Sequence, residues 1–135
     1  MISRYPIIVM SVLFFCVLSL AVAASRTGAD ESVPEITVPE LKALMEKNPA
    51  LLIYDVRTPE EYNEGHIKDA TLIPLAELPG RYTEIPTNKK LVVYCLAGRR
   101  SAKAVAFLRE HGYDQAVSLA GGYRAWSEAE PHESK

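Results

Sequence analysis

Short apolar runs alternate along this chain with segments whose apolar residues recur at helical spacing. Residues 51–54 and 91–94 form runs that are too short for helices but continuous enough for strands covered on both faces. Residues 70–73 and 116–119 are predicted to form two further short strands. Helices are predicted at residues 38–47, from Pro59 to a stop at Gly65, at 101–111 with Gly112 as the C-cap, and at 123–128. Strands alternating with helices predict an α/β fold, in which a mostly parallel sheet has helices on both faces.

Two of the predicted helices begin with a recognisable sequence pattern. Thr37 and Glu40 have the spacing of a capping box, and Thr58 and Glu61 repeat it. The stretch 74–86, which is interrupted by prolines, is predicted to hold short helical turns.

Length and composition fit one soluble domain. The 135 residues are enough for one hydrophobic core but not for two. Apolar residues make up 48% and charged residues 24% of the chain, which argues against disorder and against a protein with many membrane spans. The net charge of -2 lacks the basic excess that a nucleic-acid partner would select, so we expect no such partner.

The amino-terminal residues 1–24 have the layout of a secretory signal peptide. Arg4 precedes a stretch without charged side chains that extends to Ser25, and small residues close this stretch from position 21 onward. Cleavage after Ala23 or Ala24 is favoured. A retained membrane anchor is the alternative, since an uncharged run of this length nearly crosses a bilayer. Both interpretations predict an exported domain, periplasmic or secreted, which contacts the membrane only if the segment is retained.

The rest of the chain divides into three parts: a flexible leader at 25–34, the folded domain at 35–130 and a polar tail at 131–135. Cys16 lies within the predicted signal peptide and is given no role. Its removal leaves Cys95 as the only thiol, so the mature protein has no internal disulfide.

Cys95 follows a predicted buried strand, and Ser101 begins a predicted helix. The loop between them consists of Leu96, Ala97, Gly98, Arg99 and Arg100. Its backbone N–H groups can converge above the sulfur, which favours an anion. The helix terminus and the two arginines are expected to lower the pKa of the thiol, so Cys95 is predicted to be a nucleophile. The alternatives are a buried Cys that acts as a small hydrophobe and a solvated arginine pair.

Four groups of motifs carry a resemblance to a known family. They are Asp55-Val56-Arg57 with Pro59-Glu60-Glu61-Tyr62; Gly65-His66-Ile67 with Ala70 and Ile73-Pro74; Tyr94-Cys95 with Gly98, Arg100 and Ser101; and Gly112-Tyr113 with Gly121-Gly122 and Trp126. With these motifs the chain resembles the small single-domain members of the rhodanese family of sulfurtransferases, over about residues 36–126. The exported thiosulfate sulfurtransferases of the phage-shock type are similar in size, signal and Cys-x-Ala-Gly-Arg loop.

The resemblance implies a three-layer rhodanese-like domain with a central five-stranded, mostly parallel sheet, and a sulfur transfer in two steps. Cys95 would attack the outer sulfur of thiosulfate and hold it as a persulfide while sulfite leaves. The sulfur would then pass to a thiophilic acceptor, which is cyanide, a thiol or a protein thiol. No metal or organic cofactor is implied. A persulfide carrier without turnover, or a protein-binding rhodanese module, is the alternative function.

The loop differs from those of related proteins at two positions. Cysteine phosphatases with a similar loop place Arg six positions after Cys, whereas here Ser101 holds that position and Arg100 precedes it. The shorter cradle suits a sulfane sulfur better than a whole phosphate. Many sulfurtransferases carry Arg directly after the Cys, and here Leu96 is found. Arg100 is expected to direct its guanidinium into the cradle, and Arg99 to face solvent at its rim.

Asp55 and Arg57 are predicted to support the loop rather than to take part in catalysis. Asp55 is expected to accept hydrogen bonds from the N–H groups of the Cys loop, and Arg57 is expected to pair with Glu60 or Glu61. His66 is interpreted as a structural residue. One Cys with scattered histidines does not indicate a metal site.

Overall fold

The computed structural model describes residues 32–130. Three predicted segments lie outside these residues: the signal peptide or anchor at 1–24, the first part of the leader at 25–31, and the polar tail at 131–135. Among residues 32–130, no helix combines the length and the apolar character that crossing a membrane requires.

Strands and α-helices alternate along the described chain. The strands are β1 (Glu35–Ile36), β2 (Leu52–Asp55), β3 (Thr71–Leu72), β4 (Leu91–Tyr94) and β5 (Ala116–Leu119). The helices are α1 (Val38–Lys47), α2 (Pro59–Glu64), α3 (Leu78–Arg81), α4 (Arg99–Glu110) and α5 (Gly122–Ala129), and a 3-10 turn at Tyr82–Glu84 follows α3. The predicted alternation of strands and helices is confirmed.

The strands of the described chain form one five-stranded sheet in the order β1-β5-β4-β2-β3. Every neighbouring pair is parallel, and at the centre Asp55 lies opposite Tyr94 while Val93 lies opposite Ser118. The carboxyl ends of parallel strands lie at one edge of a sheet. The segments that follow β2, β4 and β5 therefore meet at that edge.

Apolar side chains on the two faces of the sheet form two separate cores. Val93 packs on one face with Leu108 of α4. Val92 packs on the other face with Leu41 of α1, and Trp126 of α5 borders the same core. Successive residues of a strand point to opposite faces, so a strand buried on both faces needs a continuous apolar run. The expected three-layer α/β architecture is confirmed.

Both predicted capping boxes form. The carboxylate of Glu40 accepts a hydrogen bond from the backbone N–H of Thr37 at 2.7 Å. At the start of α2, Glu61 accepts from the N–H of Thr58 at 3.1 Å, and the hydroxyl of Thr58 accepts from the N–H of Glu61 at 3.3 Å. The second box fixes Glu61 on the first turn of α2, close to the strand edge.

The apolar pattern does not predict β1, which is two residues long and lies at the edge of the sheet. Hydrogen bonds from the β5 segment hold its backbone just before the strand and at its end. Ser118 N–H donates to the carbonyl of Pro34 at 2.9 Å, and Ala120 N–H donates to the carbonyl of Ile36 at 2.8 Å. Pro34 falls within the predicted leader, yet it is hydrogen-bonded to the sheet.

Candidate active site

Cys95 lies directly after β4, at the edge where the strand ends meet, and is only 1% exposed. The backbone N–H of Gly98 donates a hydrogen bond to Cys95 Sγ at 3.1 Å. The hydroxyl oxygen of Ser101 lies 3.5 Å from the same sulfur. The loop therefore turns back on the thiol and presents polar hydrogens to it.

The pKa of the Cys95 thiol is lower than its ordinary value. Burial alone raises this pKa, because it disfavours the charged thiolate. Hydrogen bonds from Ser101, Gly98 and Ala97 outweigh the effect of burial and lower the pKa. The hydrogen-bond donors of the loop, more than the charges of the arginines that follow, therefore stabilise the thiolate.

Helix α4 begins at Arg99, two residues before the predicted start at Ser101. Its N-cap is Gly98, whose φ of 103° lies in the left-handed region that glycine adopts readily. Arg99 and Arg100 therefore occupy the first turn, where the helix dipole disfavours cations, and this turn contains no acidic residue. An anion bound at this end of the helix would offset the repulsion between the positive helix terminus and the two arginines.

The guanidinium of Arg100 is paired with Glu61 of α2. Its Nη1 and Nη2 donate to the two carboxylate oxygens of Glu61 at 2.7 and 2.8 Å, which makes a bidentate pair. The hydrogen bonds from Arg100 lower the pKa of Glu61 to about 2. Arg100 is expected to direct its guanidinium into the cradle, and in the structure the hydrogen-bond partner of this guanidinium is the carboxylate of Glu61 on α2.

Asp55 and Arg57 form a buried ion pair at the end of β2, where they are 0% and 3% exposed. Nη2 of Arg57 donates to Oδ2 of Asp55 at 2.7 Å, and the backbone N–H of Arg57 donates to Oδ1 at 2.9 Å. The same Nη2 donates to the carbonyl of Gly65 at 2.7 Å. The guanidinium also lies over the ring of Tyr123, 4.3 Å from its centroid. This pair therefore joins β2 to the segments that follow α2 and β5.

The roles predicted for Asp55 and Arg57 need correction. The carboxylate of Asp55 accepts its hydrogen bonds from Arg57 rather than from the N–H groups of the Cys loop. Arg57 pairs with Asp55 rather than with Glu60 or Glu61. The reason is that both partners are buried within reach of each other, while Glu61 faces Arg100.

The amino terminus of α5 holds the carbonyl groups of the loop. Tyr123 N–H donates to the carbonyl of Cys95 at 2.7 Å, and Arg124 N–H donates to the carbonyl of Leu96 at 3.0 Å. A Cβ atom at Gly122 would collide with the carbonyl oxygen of Cys95 and lie 2.7 Å from that of Leu96. Only glycine permits this approach, so Gly122 keeps α5 close enough to fix the loop.

Residues 37–129 match the family described as the rhodanese-like domain. The chain belongs to the rhodanese-like domain family. A sulfurtransferase of Allochromatium vinosum is 38% identical over 95 residues, which cover 70% of this chain and 89% of that protein. A Bacillus subtilis protein, provisionally named as a sulfur carrier, is 33% identical over 71% of this chain and 52% of its own length. A human single-domain sulfurtransferase has a TM-score of 0.64 at 31% identity, covering 73% of this chain and 98% of that one.

The rim of this rhodanese-like loop is partly apolar. Leu96, directly after Cys95, is 37% exposed. Among residues 32–130 it is the one large apolar residue that is exposed. Ala97 and Arg99 are exposed beside it. The exposed rim therefore offers two apolar side chains, Leu96 and Ala97, and one cationic side chain, Arg99.

One polar residue next to the rhodanese-like loop was not predicted. Ser118 of β5 is 0% exposed, and its Oγ lies 2.8 Å from Oγ of Ser101. A single serine inside a strand carries no sequence pattern that marks it. Only the parallel pairing of β4 with β5 brings it beside the site.

The site chemistry is that of a stabilised thiol. Within residues 32–130, no three His, Cys, Asp or Glu side chains cluster as metal ligands would. His66 stacks on Tyr62 at 3.8 Å between ring centroids, and its Nδ1 lies 2.9 Å from the carbonyl oxygen of Tyr62. The rhodanese-like loop thus holds a thiol of lowered pKa among hydrogen-bonding groups, an arrangement that suits covalent catalysis.

Proposed function

We propose that this rhodanese-like protein is a sulfurtransferase that takes sulfane sulfur from thiosulfate and carries it on Cys95. The observation that carries the proposal is the set of polar groups around the buried thiol: Gly98 N–H, which donates at 3.1 Å, and the Ser101 hydroxyl at 3.5 Å, which can donate to a thiolate. Such donors favour the thiolate, which is the nucleophilic form of Cys. The relatives named as sulfurtransferases support sulfur transfer as the general activity.

The proposed reaction has two steps and needs no external electron donor. In the first step, the thiolate of Cys95 attacks the outer sulfur of thiosulfate. The S–S bond of thiosulfate breaks, its electron pair leaves with sulfite, and a persulfide remains on Cys95. In the second step, a thiophilic acceptor (cyanide, a thiol or a protein thiol) attacks the outer sulfur of the persulfide. The electron pair of that S–S bond returns to Cys95 as the thiolate.

The loop offers two kinds of stabilisation to these charges. Backbone N–H groups at the start of α4 face the sulfur, where they stabilise negative charge on the thiolate and on the persulfide. Exposed Arg99 lies at the rim and attracts anions from solution. Glu61 accepts from Nη1 and Nη2 of Arg100, so thiosulfate that binds to these same donors exchanges with the carboxylate. Thiosulfate and Glu61 therefore compete for one guanidinium.

The persulfide would also make the transferred sulfur easier for an acceptor to reach than the buried sulfur of Cys95. Cys95 is 1% exposed, so a bulky acceptor cannot touch its sulfur directly. An S–S bond is about 2 Å long, and we propose that the added sulfur brings the reactive atom closer to the rim by up to that distance. Small donors therefore load the thiol, and larger acceptors collect the outer sulfur.

Mass spectrometry after incubation with thiosulfate alone tests the proposal. One sulfur atom is expected on the peptide that contains Cys95, because the first step stops at the persulfide when no acceptor is present. Cyanide or a reductant should remove it, and the Cys95→Ser variant should not acquire it. An unchanged mass, while the thiol still reacts with an alkylating agent, would rule out thiosulfate as the donor.

A persulfide carrier is the second candidate function, and the position of Leu96 favours it. An exposed apolar side chain beside the thiol, where many sulfurtransferases carry Arg, suits contact with a protein better than binding of a dianion. The Bacillus subtilis relative named provisionally as a sulfur carrier supports the same idea. Steady-state assays with thiosulfate and cyanide separate the two functions. A carrier loads from a persulfide donor but shows no turnover with thiosulfate.

The export of the protein is a proposal drawn from its first 24 residues. The uncharged stretch and its small closing residues support a signal peptide, and with it a periplasmic or secreted enzyme of the phage-shock type. Intact mass of protein from an exporting host tests the cleavage. A mature chain that begins at Ala24 or Ser25 is expected. A full-length chain in the membrane fraction would indicate the anchor instead.

A further inference from the structure

Ser118 is a buried polar residue to which the sulfur-transfer reaction gives no direct part. It lies on β5, is 0% exposed, and is register-paired with Val93 of β4. A buried hydroxyl costs stability unless it is hydrogen-bonded, and an apolar residue of similar size avoids that cost. Within residues 32–130, the hydrogen-bond partner of the Ser118 hydroxyl is Ser101, at 2.8 Å.

Ser101 has one hydroxyl proton and three polar neighbours. They are Cys95 Sγ at 3.5 Å, the carbonyl oxygen of Gly98 at 3.0 Å and Oγ of Ser118 at 2.8 Å. The Gly98 carbonyl can only accept a hydrogen bond, while the sulfur and the Ser118 hydroxyl can each donate or accept. The direction of the hydrogen bonds in this group therefore depends on the charge of the sulfur.

The neutral and the charged sulfur require different arrangements. When Cys95 is a thiol, its S–H can donate to the oxygen of Ser101, and the proton of Ser101 can point to the Gly98 carbonyl. A thiolate has no proton and needs a donor, so the proton of Ser101 must turn to the sulfur. The oxygen of Ser101 then loses the S–H donor, and Ser118 is placed to replace it.

We propose that Ser118 is a positioning residue that donates to Ser101 and thereby orients the Ser101 hydroxyl as a hydrogen-bond donor to the Cys95 thiolate. A donated hydrogen bond polarises the hydroxyl that receives it, so the bond from Ser101 to the sulfur becomes stronger. The hydrogen-bonded group links Ser118 of β5, Ser101 of α4 and Cys95 after β4, and all three residues are 0 or 1% exposed. A low local dielectric increases the effect of each hydrogen bond.

The proposal rests on the proposed nucleophilic role of Cys95 but not on the identity of the sulfur donor. Its test therefore measures the thiolate itself, by its ultraviolet absorbance during a pH titration. The Cys95→Ser variant supplies the baseline, since it retains every other absorbing group. Failure of thiosulfate to load the thiol would overturn the proposed donor and would leave this titration unaffected.

The Ser118→Ala variant should titrate at a higher pH than the native protein. One net hydrogen bond corresponds to an upward shift of about half a unit to one unit in the midpoint of the Cys95 titration. Ser118→Thr keeps the hydroxyl and should restore the native midpoint. Val93→Ala is the matched control, because it removes apolar atoms from the paired position of β4 and leaves the hydroxyl chain intact. It should lower stability without shifting the titration.

A double-mutant cycle separates positioning from general loosening of the strand. In the Ser101→Ala background, Ser118→Ala should cause no further shift, because Ser118 acts through Ser101. Equal shifts from Ser118→Ala in both backgrounds, or a Ser118→Ala midpoint equal to the native one, would overturn the proposal. If Ser118→Ala does not fold, a Ser118→Thr midpoint as high as that of Ser101→Ala would overturn it as well.

Discussion

Two arginine–carboxylate pairs flank the Cys95 loop, and they differ in burial. The side chains of Arg57 and Asp55 are 3% and 0% exposed, whereas those of Arg100 and Glu61 are 36% and 26% exposed. The shortest N···O distance is 2.7 Å in both pairs. Two arginine–carboxylate pairs with the same shortest distance therefore lie in two different environments.

The buried pair cannot exchange its partners easily. Separating Arg57 from Asp55 leaves a buried charge without a counter-charge, which is strongly unfavourable. The further contacts of Arg57 with Gly65 and Tyr123 tie it to two neighbouring segments. The pair therefore belongs to the frame that positions the loop.

The half-exposed pair can exchange its partners. Water screens the attraction between Arg100 and Glu61, so separating this pair costs less free energy than separating the buried pair. A substrate anion can take the place of the carboxylate at small cost. The difference in burial thus divides two similar pairs into one that holds the fold and one that is available to the substrate.

The largest effect is expected from breaking the buried pair. Arg57→Met should lower the free energy of unfolding by about 3–5 kcal/mol, because it leaves Asp55 buried and unpaired. Arg100→Met, the matched change in the half-exposed pair, should lower it by less than about 1 kcal/mol. Urea denaturation at neutral pH measures both. Equal losses would show that burial does not distinguish the pairs.

The sequence predicts most of the strands and the Cys95 loop because each of them depends on residues that are adjacent in the chain. A continuous apolar run indicates a strand covered on both faces, and the sequence from Cys95 to Ser101 contains the glycine and the arginines in one short segment. Strand β1 has two residues, too few for any pattern, and is defined by its pairing with β5.

The partners of the arginines could not be predicted in the same way. Arg100 and Glu61 are 39 residues apart in the chain, and their contact depends on how α2 lies against the start of α4. The sequence alone allows Arg57 to pair with Glu60 or Glu61. In the fold, Arg57 is buried beside Asp55 and pairs with it. Ser118 was missed because its role depends on the register between β4 and β5.

Replacement of Arg100 should lower catalytic turnover more strongly than it lowers the stability of the fold. Arg100→Ala should reduce kcat/KM for thiosulfate about a hundredfold, since it removes a cation from developing charge and leaves Glu61 unpaired beside the loop. Steady-state assays with thiosulfate and cyanide measure the change. A nearly native rate would show that Arg100 remains with Glu61 throughout the reaction.

Releasing Arg100 from its carboxylate should have the opposite and smaller effect. Glu61→Gln should lower KM for thiosulfate about fivefold, which corresponds to about 1 kcal/mol, the upper range for an exposed ion pair. Glutamine at this position still serves a capping box, so α2 is preserved.

Glu60→Gln is the matched control for this change. Glu60 is exposed on the same turn of α2, and its replacement removes the same charge without touching the Arg100 pair. It should leave KM nearly unchanged. If both variants lower KM equally, the effect comes from the net charge of α2 rather than from the release of Arg100.

The smallest effect is expected at Arg99, which follows the same loop but has no carboxylate partner in the described ion pairs of residues 32–130. Its exposed charge attracts anions over a distance and does not hold them, so Arg99→Ala should lower kcat/KM by about twofold at physiological salt. The loss should disappear as salt is raised, because salt shortens the Debye length and largely screens exposed charges that are farther apart than this length. The loss from Arg100→Ala should persist at high salt, since a guanidinium in contact with the anion is screened less. Rates measured across a salt series therefore distinguish the two neighbours, and a salt-independent loss from Arg99→Ala would place its guanidinium at the substrate instead of at the rim.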